Sequence, residues 1–154
     1  MIVHTQRGFT LTELLFTIAI LAVLAAIAIP VYQKYIKNTR LHEAHTALIK
    51  NAQMMEQFYQ QHRSFKLNST TWPPLPETST GHFCIRPQGV ARGAHDDKFT
   101  LKAVAFDKNN EPRVLKINES LIAIVCESSA SSCSDENHFF KGKSADKDCR
   151  IYSN

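Results

Sequence analysis

From Leu14 to Ile29 no residue is charged and only Thr17 is polar. A run of that kind restricts the chain severely, because such a segment is stable as a helix in lipid or against other apolar helices. Helical from Phe9 to Val31, it measures about 34 Å at ~1.5 Å per residue, enough to cross a hydrocarbon core of roughly 30 Å. Arg7 precedes the run and Glu13 stands at its front edge. An acidic residue near the centre of a spanning helix costs roughly 2.5–3.5 kcal/mol on insertion scales. Glu13 is therefore read as functional.

Three processing schemes fit the segment. In a secretory signal peptide, Ala26-Ile27-Ala28 would be the small-residue cleavage site, but Glu13 and the lack of a polar c-region count against it. A permanent single-span anchor satisfies the length but not Glu13. Cleavage between Gly8 and Phe9, before the apolar run, accounts for both. It frees an α-amino group on Phe9, close to Glu13, and a buried carboxylate needs such a partner from a neighbouring copy. Gly8-Phe9-Thr10-Leu11-Thr12-Glu13-Leu14 resembles the class III signal of the type IV pilin family. That resemblance implies cutting by a prepilin peptidase after Gly8, N-methylation of Phe9, and a role for Glu13 in assembly. It also implies storage in the inner membrane of a Gram-negative bacterium, followed by packing with other pilin subunits into a surface pilus.

Beyond Pro30 the helical period continues in a more polar chain. Leu41, Ala44, Leu48, Ala52, Met55 and Phe58 or Tyr59 recur at spacings of three and four, with Arg40, Glu43, Thr46, Lys50 and Gln57 around them. One helix is expected from about Phe9 to about Gln60, apolar all round in its first half and amphipathic in its second. Ser64 to Gly81, with Trp72-Pro73-Pro74-Leu75-Pro76 at its centre, reads as a loop that wraps the helix. After Gly81 the period switches to strands at Phe83–Arg86, Phe99–Phe106, Arg113–Ile117 and Leu121–Cys126. The expected fold is α+β: the type IV pilin fold, a long N-terminal helix on a roughly four-stranded antiparallel sheet. Its parts are a leader over 1–8, a membrane or filament half-helix over 9–31, and a globular domain over 32–154.

Four cysteines, Cys84, Cys126, Cys133 and Cys149, fall in the half expected to be exported, and an even count there argues for two disulfides among three connectivities. Cys84–Cys126 is expected to staple two strands and Cys133–Cys149 to close the polar tail, which buries too little apolar surface to order itself. A cross-linked tail of this type resembles the D-region of pilins.

Catalytic constellations are absent from the sequence: there is neither a nucleophile elbow nor a glycine-rich loop between a strand and a helix. His42 and His45 share a helix face, but no further ligands accompany them, so they read as solvated histidines. Neither an enzyme nor a bound metal or cofactor is expected.

The formal net charge is +4, and loss of Met1–Gly8 with Arg7 leaves +3. Arg86, Lys102 and Lys116 occupy strand positions that alternate against the apolar face, so they are expected to line up as a cationic stripe across the sheet. On charge alone that stripe is an ordinary solvated face, where lysines oppose edge aggregation. Phe83-Cys84-Ile85-Arg86, Gly89-Val90-Ala91-Arg92-Gly93-Ala94, Phe99–Ala105, Ser129–Asp135 and Asp146-Lys147-Asp148-Cys149 resemble the competence minor pilins within the family. That resemblance implies a pilus-borne receptor for extracellular double-stranded DNA that prefers a short uptake sequence. On that reading Arg86, Lys102 and Lys116 contact phosphates, while bases are read by the loop 87–98 with Arg92 and by the tail with Lys141, Lys143 and Lys147. The alternative is a structural or adhesive minor pilin that binds no DNA.

Overall fold

The computed structural model of the chain describes residues 8–135 and 139–153, and only the backbone of Lys143. The expected leader, apart from Gly8, and the Lys143 side chain lie outside the described residues. The chain divides into two compact units, 1–38 and 39–154. Helix α1, Leu11–His62, has 52 residues and continues through Pro30.

In the first unit every side chain from Phe9 to Tyr35 is exposed, including Leu14, Phe16, Leu21 and Ile27. The start of the helix is fixed by Thr10 and Glu13. The Thr10 hydroxyl accepts from the Glu13 N–H at 3.3 Å, and the Glu13 carboxylate accepts from the Thr10 N–H at 3.0 Å and its hydroxyl at 2.8 Å. This reciprocal pair is a capping box, in which two otherwise orphaned donors are satisfied.

In the second unit the helical period expected from the sequence becomes a buried stripe of Leu41, Ala44, Leu48, Ala52 and Met55. It packs in one cluster with Phe83, Ile85, Leu101, Ala103, Leu115, Ile117 and Val125 from one face of the sheet. Each such large side chain, fully buried, contributes roughly 1.5–3 kcal/mol. Asn51 is also fully buried on the stripe. Its amide donates to the Glu77 carbonyl at 2.6 Å and accepts from the Glu77 N–H at 3.0 Å, which clamps the connecting loop to the helix.

The sheet is an antiparallel meander of β1 (Phe83–Pro87), β2 (Thr100–Ala105), β3 (Val114–Asn118), β4 (Ala123–Ser129) and β5 (Asp146–Ile151), in that spatial order. Four strands were expected; the fifth, β5, lies in the polar tail. Asp146-Lys147-Asp148-Cys149-Arg150-Ile151 has no apolar alternation, so its extended form comes from pairing with β4 and not from local preference.

The disulfides also depart from expectation: Cys84 is bonded to Cys133, and Cys126 to Cys149. Cys84, Val104, Val114 and Cys126 occupy one cross-strand row. Cys84 and Cys126 therefore stand three strand spacings apart, about 14 Å, beyond the roughly 7 Å Cα separation that a disulfide tolerates. Cys149 instead lies directly opposite Cys126 on β5, and Cys133 reaches over the sheet to β1.

Candidate nucleic-acid interface

The register places Arg86 opposite Lys102 and Lys102 opposite Lys116. All three are on the sheet face opposite the helix, because Leu101, Ala103, Leu115 and Ile117 alternate with them into the core. Lys102 and Lys116 do not face solvent, however, and Arg86 is half-buried. Residues 130–135 and 139–145 lie across that face, and Phe140 is buried there with Cys84, Val104, Val114 and Cys126.

Lys102 is completely buried. Its ammonium donates to Asp146 Oδ1 at 2.8 Å, to the Lys141 carbonyl at 3.1 Å and to Ser131 Oγ at 3.2 Å. All three of its donors are thus engaged. Lys116 donates to Asp146 Oδ2 at 3.0 Å, and the Ser129 hydroxyl donates to Oδ1 at 2.6 Å. Burial raises the Asp146 carboxyl, but hydrogen bonds from Lys102, Ser129 and Lys116 outweigh it and hold the group below the usual carboxylate range. Burial pulls the Lys102 ammonium below the usual lysine range; Asp146 opposes that shift, and Lys116 and Lys108 add to it. Arg86 donates to the carbonyls of Cys133 at 2.9 Å and Asp135 at 3.0 Å, and its guanidinium sits 5.3 Å from the centre of the Phe140 ring. The expectation that these three cations present a stripe to phosphates is therefore corrected. They hold the D-region against the sheet, and the acceptors that hold them come from residues 29 to 49 positions away, a relation that periodicity cannot reveal.

Sequence reading missed two members of this anchor. Asp146 lies in the tail whose composition alone gives no reason for order. Lys108, from the turn between β2 and β3, donates to the carbonyls of Ser129 at 2.8 Å and Ser131 at 2.7 Å. No local sequence pattern marks either residue, because their partners lie 17 to 44 positions away.

Exposed cations lie elsewhere. The β1–β2 loop, 88–99, carries Arg92 and Lys98, both exposed, and the D-region carries exposed Lys141. Three loops are tied together here. Gly89 donates to the Phe140 carbonyl at 2.9 Å, and Phe140 donates to the Pro87 carbonyl at 2.9 Å. Trp72 Nε1, from the α1–β1 loop, donates to the Gly89 carbonyl at 3.0 Å. Gly89 has a φ of 81°, a left-handed conformation that side chains with a Cβ resist, so glycine suits this junction. At the loop's other end Lys66 meets Asp96 at 2.7 Å and the Ala94 carbonyl at 2.8 Å, and Phe65 packs edge-on against Phe99. Lys147 is not part of this cluster, because β5 is the opposite edge of the sheet from β1.

Comparison with known proteins accords with this architecture. A family described as type IV minor pilin ComP, DNA uptake sequence receptor, matches residues 30–113, and the prokaryotic N-terminal methylation motif matches residues 3–29. The solution NMR structure of the minor DNA-uptake pilin ComP from Neisseria subflava superposes with a TM-score of 0.62 at 50% identity, covering 75% of this chain and 97% of that one. A fimbrial protein of Neisseria meningitidis serogroup A is 36% identical over 113 residues, 73% of this chain and 64% of that protein. A fimbrial protein of Moraxella nonliquefaciens is 54% identical over 43 residues, 28% of each chain. The matched stretches thus span less than two thirds of these fimbrial proteins. Since the first of the two families covers more than half of the chain, from Pro30 through β2 to the start of β3, the protein belongs to the type IV minor pilin ComP family.

Proposed function

We propose that this minor pilin is a pilus-borne receptor for extracellular double-stranded DNA in natural transformation, and that it binds DNA through the joined loops and not through the sheet row. The observation that carries the reading is the junction at Gly89. The β1–β2 loop, the α1–β1 loop and the D-region meet there, with Arg92, Lys98 and Lys141 exposed on them. Helix α1 is occupied by the sheet in its second half, so among the described residues no α-helix of the folded domain is available to enter a major groove. Loops remain, with lysines for phosphates and Arg92 as a bidentate reader of guanine. Processing fits the same reading. The precursor sits in the inner membrane, a prepilin peptidase cuts between Gly8 and Phe9, Phe9 is N-methylated, and Glu13 guides entry among other pilin subunits.

The test is a salt-dependent anisotropy titration of the full chain, in detergent micelles, with specific and scrambled duplexes. Lys141→Ala is expected to weaken all duplexes alike and to lower the salt slope by about one unit per lost phosphate contact. Arg92→Ala is expected to reduce the preference for the specific duplex. Unchanged affinity and slope in both variants would sink the reading. Burial of Lys102 and Lys116 favours one competing role, a structural minor pilin that binds no DNA. Failure of the unsubstituted chain on both duplexes would select it.

A further inference from the structure

A groove of about 660 Å³ runs between the α1–β1 loop and the outer edge of β1. Its surface is mostly apolar, supplied by Trp72, Pro74, Val90 and Phe139, with hydroxyls from Thr71 and Ser79. Arg86 is the one charged side chain among the described residues that line it, and no carboxylate does so. The Trp72 ring is fixed, because its N–H donates to the Gly89 carbonyl. The groove opens onto the loop junction that carries the exposed cations, since Val90 is two residues from Arg92 and Phe139 two from Lys141.

We propose that this groove is a nucleobase pocket, which takes one base swung out of a DNA strand whose phosphates lie along Arg92, Lys98 and Lys141. The proposal rests on the DNA-receptor reading and extends it to how a strand is gripped. A base is planar and apolar on its faces and polar on its edge, and the groove is mostly apolar with Thr71 and Ser79 among its lining residues. The charge is also complementary. A positive field from Arg86, itself tied to backbone carbonyls, suits a polyanion and disfavours a basic peptide. Base stacking on aromatic side chains tolerates any sequence, so the pocket would add grip, while Arg92 adds discrimination. Extrusion is easiest where the base is already unpaired.

The full chain in detergent micelles is titrated with dAMP and with two mixed-sequence duplexes, one fully paired and one bearing a single bulged adenine. Emission of Trp72, the only tryptophan, reports the groove. The bulged duplex is expected to bind about tenfold more tightly than the paired one, and both it and dAMP are expected to quench Trp72. Val90→Phe, which narrows the groove from an exposed position, and Phe139→Ala, which removes a flank, are each expected to erase the preference and leave paired-duplex affinity in place. Equal affinity for both duplexes with unchanged emission overturns the pocket and leaves the receptor reading standing. A preference that survives both variants also overturns it. Absence of all duplex binding overturns both. Quenching by an aromatic peptide, but by neither the bulged duplex nor dAMP, reassigns the groove to a protein partner.

Discussion

Asp146 is the residue on which the outer face of the sheet turns. It places one carboxylate between two buried ammonium groups, and its removal strands both of them. Breaking a buried charge pair from one side costs about 3–5 kcal/mol. Asp146→Asn is expected to destabilise the domain by that amount in a denaturant titration. The effect should appear first as loss of amide protection over residues 139–151. The same carboxyl sets an acid limit. Its folded pKa lies below the unfolded value of about 3.9, so its contribution is complete above that value and is lost as pH falls through the folded pKa. The melting temperature is therefore expected to drop more steeply on acidification in the unsubstituted chain than in Asp146→Asn. Parallel curves would contradict the assignment. None of this was legible in the residue itself. Asp146 sits in a polar tail, and its partners are 17, 30 and 44 positions away.

Among the elements, α1 and the first four strands were readable because their cores repeat locally, at three and four in the helix and at two in β2. Strand β5 was not readable, because it takes its shape from β4 and from the Cys126–Cys149 bond. The disulfides follow from strand order. Peptide mapping of the non-reduced protein is expected to recover Cys84 with Cys133 and Cys126 with Cys149, and recovery of Cys84 with Cys126 would contradict the sheet itself. Replacing Cys84 and Cys133 together by serine is expected to cost about 2–4 kcal/mol, with the loss concentrated in the D-region. The connecting loop depends on Asn51 in a similar way. Asn51→Ala takes both hydrogen bonds from the half-buried Glu77 carbonyl and N–H, at about 0.5–1.5 kcal/mol for each bond. A smaller loss in thermal unfolding would mean that the loop is held mainly by its other contacts.

At the scale of the whole molecule the two units face different demands. Among its described residues the first exposes every side chain from Phe9 to Tyr35, as suits a helix partnered by lipid and then by other subunits. Thr10 and Glu13 cap that helix together, so Glu13 has a local partner before any neighbour supplies one. Glu13→Val is expected to leave the precursor in the membrane but to lower its share in pili sheared from cells. An unchanged share would remove the assembly role. The second unit is a folded domain that exposes Arg92, Lys98 and Lys141 around one loop junction and Lys147 and Arg150 on the opposite sheet edge.

Features that depend on neighbours along the chain were legible before folding: the membrane-length helix, the amphipathic half, the alternating strands and the alignment of Arg86, Lys102 and Lys116. Tertiary structure alone decided what covers that row. A strand pattern tells which residues share a face, but solvent exposure depends on every other segment that lies over that face. Here the D-region closes over the cations, because Asp146, Cys133 and Phe140 are brought to them from far along the chain. The same closure leaves Arg92, Lys98 and Lys141, on the loops near β1, exposed.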